Sequence, residues 1–393
     1  MRRLAFALLP LCLCGALHAS DVPEAARKLA QDALIVDTHI DAPELGVEDW
    51  RDLSAPTPDR EFDYPRAREG GLDVAWMSIF TSHDADEAGK AWTQANNQID
   101  LVTALAARHP DKFAILRSPR DVDKLREGGR VLLPMGMENG GPIGDDIKRV
   151  QFFFDRGIRY ITLAHGGNNR ISDSSYQRKG KWGGLSPFGE QVVREMNRLG
   201  IIVDVSHLSD EAVRDILELT DVPVIASHSG MRHFTPDFNR NMDDALLKEI
   251  AAHGGVVQIS FGTVFLDAKA AKDFDQRRWT MEDMKAAGKT PAEIQAFGDQ
   301  WKKDHPAPLL HTGSVIDQID HAVKVAGIDH VGIGSDFDGV SGELPVELKS
   351  VADFPQVVAG LQERGYKDAD IRKILGGNML RVWKEIEARA EKH

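Results

Sequence analysis

The fold is decided by residues 186–207, SPFGEQVVREMNRLGIIVDVSH. Ser186 and Pro187 are suited to begin a helix as N-cap and first-turn residue, and Gly200 is suited to end it. An apolar run then ends on His207, and the next apolar run along the chain, VPVIASH, ends on His228 in the same way. A helix that leads into a fully apolar strand is the repeating unit of parallel α/β folds.

Eight apolar runs of strand length alternate with segments of helical period. The runs cover residues 34–38, 73–80, 131–137, 158–164, 201–206, 223–227, 256–260 and 330–335. Because these runs are apolar throughout, they are typical of strands that a parallel sheet buries on both faces. We therefore predict a (β/α)8 barrel of the TIM type, with residues 20–393 forming a single catalytic domain.

The charged segment 266–312, between the seventh and eighth runs, does not follow this alternation of apolar runs and helical segments. Its weak helical pattern predicts a helical insertion on the loop face of the barrel. Two interpretations stay open for it: a lid or oligomer contact, and a solvated surface segment without a role. The stretch 166–184 also follows a strand, and we expect it to rim the pocket.

The first 19 residues have the pattern of a secretory signal peptide. A basic head of two arginines precedes an apolar run at 4–17, which is too short to span a bilayer, and Ala19 is a small residue suited to cleavage. Cleavage would also remove the two cysteines, Cys12 and Cys14. We therefore expect a secreted or periplasmic protein with no stable membrane anchor and no thiolate ligand, a retained anchor being the alternative.

The charge balance argues against one class of partner. The chain has 48 basic and 61 acidic residues, which gives a formal net charge of −13. Such a chain repels phosphate backbones and anionic membrane surfaces, so we do not expect it to bind nucleic acid. An apolar fraction of 42% is that of an ordinary globular protein, so we expect a packed core.

Six apolar runs end on a residue that can bind a metal or move a proton. These residues are His39, Glu138, His165, His207, His228 and Asp336. Since a barrel gathers the carboxyl ends of its strands at one face, we expect the six side chains at a single site. Asp41 lies two residues after His39, and on an extended strand both side chains can point the same way.

Five of these residues are candidate metal ligands: His39, Asp41, Glu138, His207 and His228. Imidazole nitrogens at the ends of consecutive strands are the ligands that zinc prefers. Five protein ligands exceed the three of an open catalytic zinc site, so they suit two metals that share a bridging carboxylate. For each residue alone, a structural hydrogen bond or a solvated side chain stays open as an interpretation.

The segments that carry these residues resemble the signature segments of the renal or membrane dipeptidases. They are VDTHIDAPEL (36–45), MGMENG (135–140), RYITLAH (159–165), GLSPFGEQVVREMNRLGIIVDVSH (184–207), VIASHSG (224–230), RNMDD (240–244) and HVGIGSDFDGV (330–340). Members of that family are binuclear zinc peptidases among the metal-dependent barrel hydrolases. The resemblance runs in order from about residue 33 to residue 385.

The resemblance implies two zinc ions per chain. His39 and Asp41 would hold one ion, and His207 and His228 would hold the other. Glu138 and a water or hydroxide would bridge the two ions, and that hydroxide would attack the peptide carbonyl.

The resemblance also implies roles in handling the substrate. His165 would stabilise the negative charge that develops on the carbonyl oxygen, and Arg240 would bind the terminal carboxylate of a dipeptide. Asp336 would take a proton from the bridging water and pass it to the leaving amine, with Asp338 as the alternative. The implied substrates are L-L and L-D dipeptides, and the implied assembly is a homodimer.

Two other classes of function are compatible with these residues. A related barrel amidohydrolase that cuts N-acyl amino acids or lactams would use a similar site, but its usual first-strand pattern is His-x-His rather than His39-x-Asp41. A non-catalytic zinc-binding protein would have no need of Asp336 or His165 beside the ligands.

Overall fold

The computed structural model describes residues 22–390, so the predicted signal peptide lies outside the described residues. Ten strands pair in parallel within one sheet. They are β1 Ile35–Ile40, β2 Leu72–Phe80, β3 Phe113–Ile115, β4 Val131–Leu133, β5 Met135–Glu138, β6 Ile158–Thr162, β7 Ile202–Asp204, β8 Ile225–Ser229, β9 Val256–Ile259 and β10 Val331–Ile333. Each of the eight predicted runs contains or overlaps at least one strand.

Eight of these strands follow one another around a barrel. The order is β1, β2, β5, β6, β7, β8, β9 and β10, each hydrogen-bonded to the next. Between β10 and β1 there is no ladder, but an isolated parallel bridge joins Ile40 to Phe337. The amide of Asp41 donates to Phe337 O at 2.9 Å, and the amide of Asp336 donates to His39 O at 3.1 Å. This bridge completes the ring at its carboxyl end, and the predicted barrel class is confirmed.

The third predicted run is divided into two strands. Pro134 separates β4 from β5, because proline has no amide hydrogen to donate to a ladder. Its carbonyl still accepts from the Met77 amide at 2.9 Å, so the chain stays beside β2. The three-residue strand β3 pairs with β4 outside the ring. It is too short to give a recognisable apolar run.

Helices occupy most of the connections. They are α1 Glu24–Asp32, α2 Ala42–Glu48, α3 Tyr64–Gly70, α4 His83–Glu87, α5 Ala91–Arg108, α6 Val122–Leu125, α7 Lys148–Arg156, α8 Pro187–Leu199, α9 Asp210–Leu219, α10 Asp244–Ala252, α11 Thr263–Leu266, α12 Ala268–Ala286, α13 Pro291–Asp304, α14 Thr312–Ala326, α15 Phe354–Glu363, α16 Asp368–Arg372 and α17 Asn378–Arg389. No helix within residues 22–390 combines the length and apolar character needed to cross a membrane.

The helix–strand unit of residues 186–207 forms as its sequence predicts. The Ser186 hydroxyl accepts from the Gly189 amide at 2.9 Å, and Pro187 occupies the first turn of α8. Gly200 ends the helix with φ of 78°, a left-handed conformation that glycine adopts without a steric penalty. Local capping and the apolar run that follows therefore determine this unit.

Aromatic side chains fill the barrel beneath the strand ends. The rings of Trp76 and Tyr160 stack at 5.0 Å, and Trp383 of α17 lies 4.8 Å from Trp76. The Tyr160 ring fits because Gly136 has no side chain, since a Cβ there would lie 1.9 Å from the ring. This packed interior closes one end of the barrel and forms the floor under the polar strand ends.

The charged segment 266–312 contains two helices, α12 and α13. Asp267 caps α12 by accepting from the Ala270 amide at 2.9 Å. Thr290 and Glu293 form a reciprocal capping box at the start of α13. The pattern predicted a helical insertion here, and the structure contains one.

Candidate metal centre

The polar residues at the strand ends converge at the mouth of the barrel. Their backbone leaves the strands sharply, and three non-glycine residues there adopt left-handed φ values: Asn139 at 79°, His207 at 67° and Asp336 at 68°. Such conformations cost free energy and cluster at functional sites, where the surrounding structure holds them. Here they turn the chain within one residue of the site side chains.

Glu138 lies at the centre of the cluster. Its Oε1 is 3.0 Å from His207 Nε2, 3.4 Å from His228 Nε2 and 3.5 Å from His165 Nε2. Its Oε2 is 3.3 Å from His39 Nε2. Four imidazole nitrogens thus surround one carboxylate. The structure brings the candidate ligands His39, Glu138, His207 and His228 together with His165.

The first strand places His39 and Asp41 on the same side of that carboxylate. His39 Nε2 lies 3.4 Å from Asp41 Oδ2 and is buried with no hydrogen-bond partner among the described residues. His39 Nδ1 lies 2.9 Å from the Tyr160 hydroxyl, which is 3.3 Å from Thr38 O. Because the hydroxyl donates to that carbonyl, it accepts from Nδ1–H, and Nε2 keeps a free lone pair for a metal.

A buried relay orients His228 in the same way. The Ser227 hydroxyl donates to Asp204 Oδ2 at 2.7 Å and lies 2.9 Å from His228 Nδ1. Asp204 also accepts from Thr162 Oγ1 and from the Ser227 amide. Since the hydroxyl gives its proton to Asp204, it accepts from Nδ1–H, which leaves the lone pair on Nε2.

The electrostatics differ from one imidazole to another. Burial lowers the pKa of His39, but the charges around it, among them Glu138 and Asp41, outweigh burial and hold that pKa well above the ordinary value. Burial raises the pKa of Glu138, but the charge of His39 and the interactions with the other imidazoles outweigh burial, and its pKa lies well below the usual range. Burial and then the charge of Arg240 hold the pKa of His207 well below the ordinary value. Neutral imidazole is the form that binds a metal.

The donor atoms of this cluster lie close enough together to hold divalent metal ions. Three groups of ligand atoms each lie within 4.8 Å: His39, Glu138 and His228; Glu138, His165 and His207; and His39, Asp41 and Asp336. His207 Nε2 and His228 Nε2 are 2.7 Å apart. Together with the unpartnered His39 Nε2, this nitrogen-and-oxygen donor set suits zinc.

Arg240 approaches the cluster from the side and is only 2% exposed. Its guanidinium donates to Ser229 Oγ at 2.8 Å and to His228 O at 2.7 Å. Its Nη2 also lies 2.9 Å from His207 Nε2. The structure thus places the predicted carboxylate-binding arginine against the candidate ligand His207.

Asp336 and Asp338 have different surroundings. Asp336 lines the cavity, and burial followed by the charge of Asp41 holds its pKa well above the ordinary value. Asp338 turns away, and its Oδ1 accepts from the Glu61 amide at 2.7 Å. At Gly339 a Cβ would lie 2.2 Å from Asp41 Oδ2 and 2.5 Å from Asp336 Oδ1, so only glycine leaves room for both carboxylates.

A cavity of about 260 Å³ opens above the cluster. The 166–184 stretch contributes Tyr176, and the insertion contributes Phe274, Arg277 and Lys302. The sequence patterns did not single out these four residues, nor Tyr160, Asp204 and Glu44. A charged Asp204 inside the apolar run IIVDVSH was the one local signal that pointed to a buried role.

The family model for membrane dipeptidase, peptidase family M19, matches residues 23–393. The chain belongs to the membrane dipeptidase family. The predicted resemblance is confirmed, and the predicted enzyme class, a metallopeptidase, is confirmed at the level of the family.

Individual relatives agree with membership in the membrane dipeptidase family. The dipeptidase tcpJ of Claviceps purpurea is 33% identical over 290 residues, which are 74% of this chain and 59% of that protein's length. The probable dipeptidase PvdM from Pseudomonas aeruginosa superposes with a TM-score of 0.83 at 28% identity, over 95% of this chain and 100% of PvdM. A metallopeptidase from Rhodobacter sphaeroides, solved with a phosphinate mimic of L-Ala-D-Ala, has a TM-score of 0.74 at 23% identity, over 90% and 99%. The likeness to the Rhodobacter metallopeptidase, at 23% identity, shows a shared fold alone.

Proposed function

We propose that this protein is a zinc-dependent dipeptidase that hydrolyses L-L and L-D dipeptides. The observation that carries the proposal is the convergence of four imidazole Nε2 atoms on the single carboxylate of Glu138. This centre lies at the floor of a cavity that is also lined by Asp336, a carboxyl group suited to proton transfer.

Two zinc ions per chain fit the donor set best. His39 and Asp41 would hold one ion, His207 and His228 the other, and Glu138 would contact both. His228 also lies close to His39, with ring centroids 3.7 Å apart, so the two proposed zinc sites are next to each other. When bound, such ions would lower the pKa of a shared water and withdraw electron density from the peptide carbonyl.

Asp336 is the proposed proton carrier. Its carboxyl faces the cavity, and burial together with the nearby Asp41 raises its pKa, which favours proton uptake at near-neutral pH. A carboxyl with a raised pKa can accept a proton from water and then donate it to the leaving amine.

His165 is the proposed hydrogen-bond donor to the carbonyl oxygen. Desolvation lowers its pKa, so the ring is neutral and offers an N–H rather than a full charge. The edge of its ring meets Phe80 at 4.7 Å, which restricts its orientation. A fixed donor of this kind stabilises negative charge that develops in the transition state.

Arg240 is the proposed contact for the terminal carboxylate. It stands within hydrogen-bond distance of His207 Nε2, so a carboxylate that it binds would lie one short residue away from the reacting carbonyl. Substrates with a longer carboxyl-terminal part would not reach both groups, which favours dipeptides over tripeptides. For the D-residue, the support is the L-Ala-D-Ala mimic in the Rhodobacter metallopeptidase of the same fold.

The direct test is a hydrolysis assay with purified protein. L-L and L-D dipeptides should be cleaved, tripeptides should not, and a zinc chelator should abolish cleavage until zinc is restored. Faster cleavage of N-acyl amino acids than of any dipeptide would contradict the proposal and favour a related barrel amidohydrolase. Stoichiometric zinc without any hydrolysis would favour a zinc-binding protein.

We also propose export through the signal sequence of residues 1–19 and assembly as a homodimer. The first is supported by the basic head and short apolar run, and the second by the family alone. Expression of the full sequence in a Gram-negative host should yield periplasmic protein that begins at Ser20. Multi-angle light scattering should then give twice the chain mass; cytoplasmic protein or a monomer would contradict the respective proposal.

A further inference from the structure

Two cations of the insertion line the cavity without an ion-pair partner. Arg277 of α12 and Lys302 of α13 face the same space as the metal-binding cluster. Within the described part of the chain, no carboxylate lies within ion-pair distance of either. Three other cations of α12 are paired: Lys269 with Asp273, Arg278 with Asp275 and Glu282, and Lys285 with Asp84 and Glu87. Lys272 has no ion pair among the described residues, but it lines neither the cavity nor the groove next to it.

These two cations stand where the cavity meets a second groove. The groove, of about 60 Å³, shares five lining residues with the metal-binding cavity: Val264, Phe274, Arg277, Lys302 and Glu343. Beyond the junction it continues along Trp301 and other residues of the insertion. A substrate held at the metal centre can therefore extend a side chain between the two cations.

The position of Arg240 indicates which substrate residue faces them. The guanidinium of Arg240 lies 5.0 Å from the Phe265 ring, and Phe265 lines the cavity beside Val264 and Phe274. A terminal carboxylate bound at Arg240 thus puts the carboxyl-terminal residue next to the insertion. The side chain of that residue would then face the wall that carries Arg277, whose guanidinium lies 5.5 Å from the Phe274 ring.

Apart from the acidic residues of the metal centre, two acidic residues line the cavity, and neither lies within ion-pair distance of Arg277 or Lys302. Glu44 of α2 lines the cavity but not the groove beyond the two cations. Glu343 lines both spaces and, like Lys302, is exposed to solvent, where screening weakens the field of a charge, so the two cations outnumber the one carboxylate that lines both spaces with them. The wall formed by the insertion therefore favours an anion.

We propose that Arg277 and Lys302 form a subsite for a side-chain carboxylate, which makes dipeptides with a carboxyl-terminal aspartate or glutamate the preferred substrates. This inference rests on the proposed dipeptidase function and adds the substrate class. The charged hydrogen bonds of the two cations would act together with the terminal-carboxylate contact of Arg240.

The test compares two isosteric substrates, Ala-Glu and Ala-Gln. The zinc-loaded enzyme should cleave Ala-Glu with a kcat/KM about tenfold higher, chiefly through a lower KM. Arg277→Gln and Lys302→Met should each lower the kcat/KM for Ala-Glu more than that for Ala-Gln, so that the ratio falls toward one. As controls, Lys272→Gln and Lys303→Met alter exposed neighbours that line neither space, and they should keep the ratio.

The results that would overturn the subsite differ from the result that would overturn the proposed dipeptidase function. Equal cleavage of both peptides by the original enzyme would overturn the subsite alone. A loss in Arg277→Gln that is equal for both peptides would overturn it as well, because the arginine would then bind the terminal carboxylate. Absence of cleavage of every dipeptide would instead remove the proposed function itself.

Discussion

At the residue scale, hydrogen bonds behind the imidazoles determine which nitrogen faces the metal centre. Ser227 orients His228 through Asp204, and Tyr160 orients His39. Partners of this kind fix the tautomer and the ring orientation of a ligand and so influence metal affinity. The polar strand ends thus depend on a layer of fully buried residues behind them.

Replacing Ser227 with alanine should lower zinc affinity by about tenfold or more, because His228 loses the acceptor for its Nδ1 proton. Competition with a zinc-binding dye measures the change. Ser172→Ala is the matched control, since Ser172 is also buried but donates to Asp173 O, away from the ligands. Zinc affinity of Ser227→Ala equal to that of the control would show that the relay does not position His228.

Replacing Asp336 with asparagine should keep the bound metals and reduce kcat by about a hundredfold or more, because an amide cannot carry the proton. Asp338→Asn should keep turnover within about threefold, since an asparagine oxygen can still accept from the Glu61 amide. Both kcat and metal content are measured for each variant. A collapse of turnover in Asp338→Asn alone would assign proton transfer to the other aspartate.

The sequence revealed the site residues that end apolar runs, because a polar side chain after such a run is visible locally. It did not reveal Ser227 and Tyr160 as positioning residues. Their roles depend on ring orientation and on contacts between strands, and no spacing in one strand encodes these. Arg240 was found only through the resemblance, since it lies in a polar loop.

At the element scale, the α12–α13 hairpin is tied down next to the cavity by surface ion pairs. Arg178 of the 166–184 stretch pairs with Asp283 of α12, and Lys285 lies 2.9 Å from Asp84 of α4. Exposed pairs of this kind are weak and sensitive to salt. The hairpin therefore depends on several such contacts together with the packing of Phe274 near Tyr176.

The double variant Arg178→Gln, Lys285→Gln should be cut by subtilisin near Gly288 about two- to fivefold faster, because the hairpin opens more often. Limited proteolysis followed by mass spectrometry locates and times the cut. Arg364→Gln serves as the control, since it removes exposed ion pairs to Asp317 and Asp320 far from the hairpin. Equal cleavage rates in all three proteins would show that these pairs do not hold the hairpin.

Local signals predicted several elements well. The N-cap serine, first-turn proline and terminal glycine of α8 are all sequence features, and the structure uses each of them. The position of the hairpin beside the cavity was not predictable, because it results from contacts between segments far apart in the chain. The strand β3 is also set by its pairing partner rather than by its own three residues.

At the scale of the whole molecule, the seam between β1 and β10 relies on a few polar contacts. Beside it, the Asp338 amide donates to Glu61 Oε2 at 2.5 Å, and the Glu61 amide donates to Asp338 Oδ1 at 2.7 Å. Burial, and then the charge of Asp338, raises the pKa of Glu61 from 4.5 to about 7. The native barrel thus binds a proton here more tightly than the unfolded chain does.

This raised pKa predicts a pH-dependent stability. As pH rises from about 4.5 to about 7, the unfolded chain loses this proton first, so the free energy of unfolding falls. Glu61→Gln should remove the cost of the buried charge. At pH 8 its free energy of unfolding should exceed that of the original protein by about 1–3 kcal/mol, and at pH 5 this difference should be smaller. Urea unfolding at both pH values measures the difference; a difference that shrinks with rising pH would contradict the assignment.

The barrel class was predictable because eight apolar runs at helical intervals suit few other folds. The closing bridge at Ile40 and Phe337 was not, because a single pair of residues leaves no pattern. That closure brings Asp336 next to Asp41, so the detailed geometry of the metal centre depends on it.

The most direct test of the account is the zinc content per chain, measured by inductively coupled plasma mass spectrometry, in the original protein and in Glu138→Gln. Two zinc ions per chain are expected in the original protein. Fewer than one is expected in the variant, because both ions would lose their shared ligand. One zinc ion in the original protein, or two retained in Glu138→Gln, would contradict a binuclear centre built around Glu138.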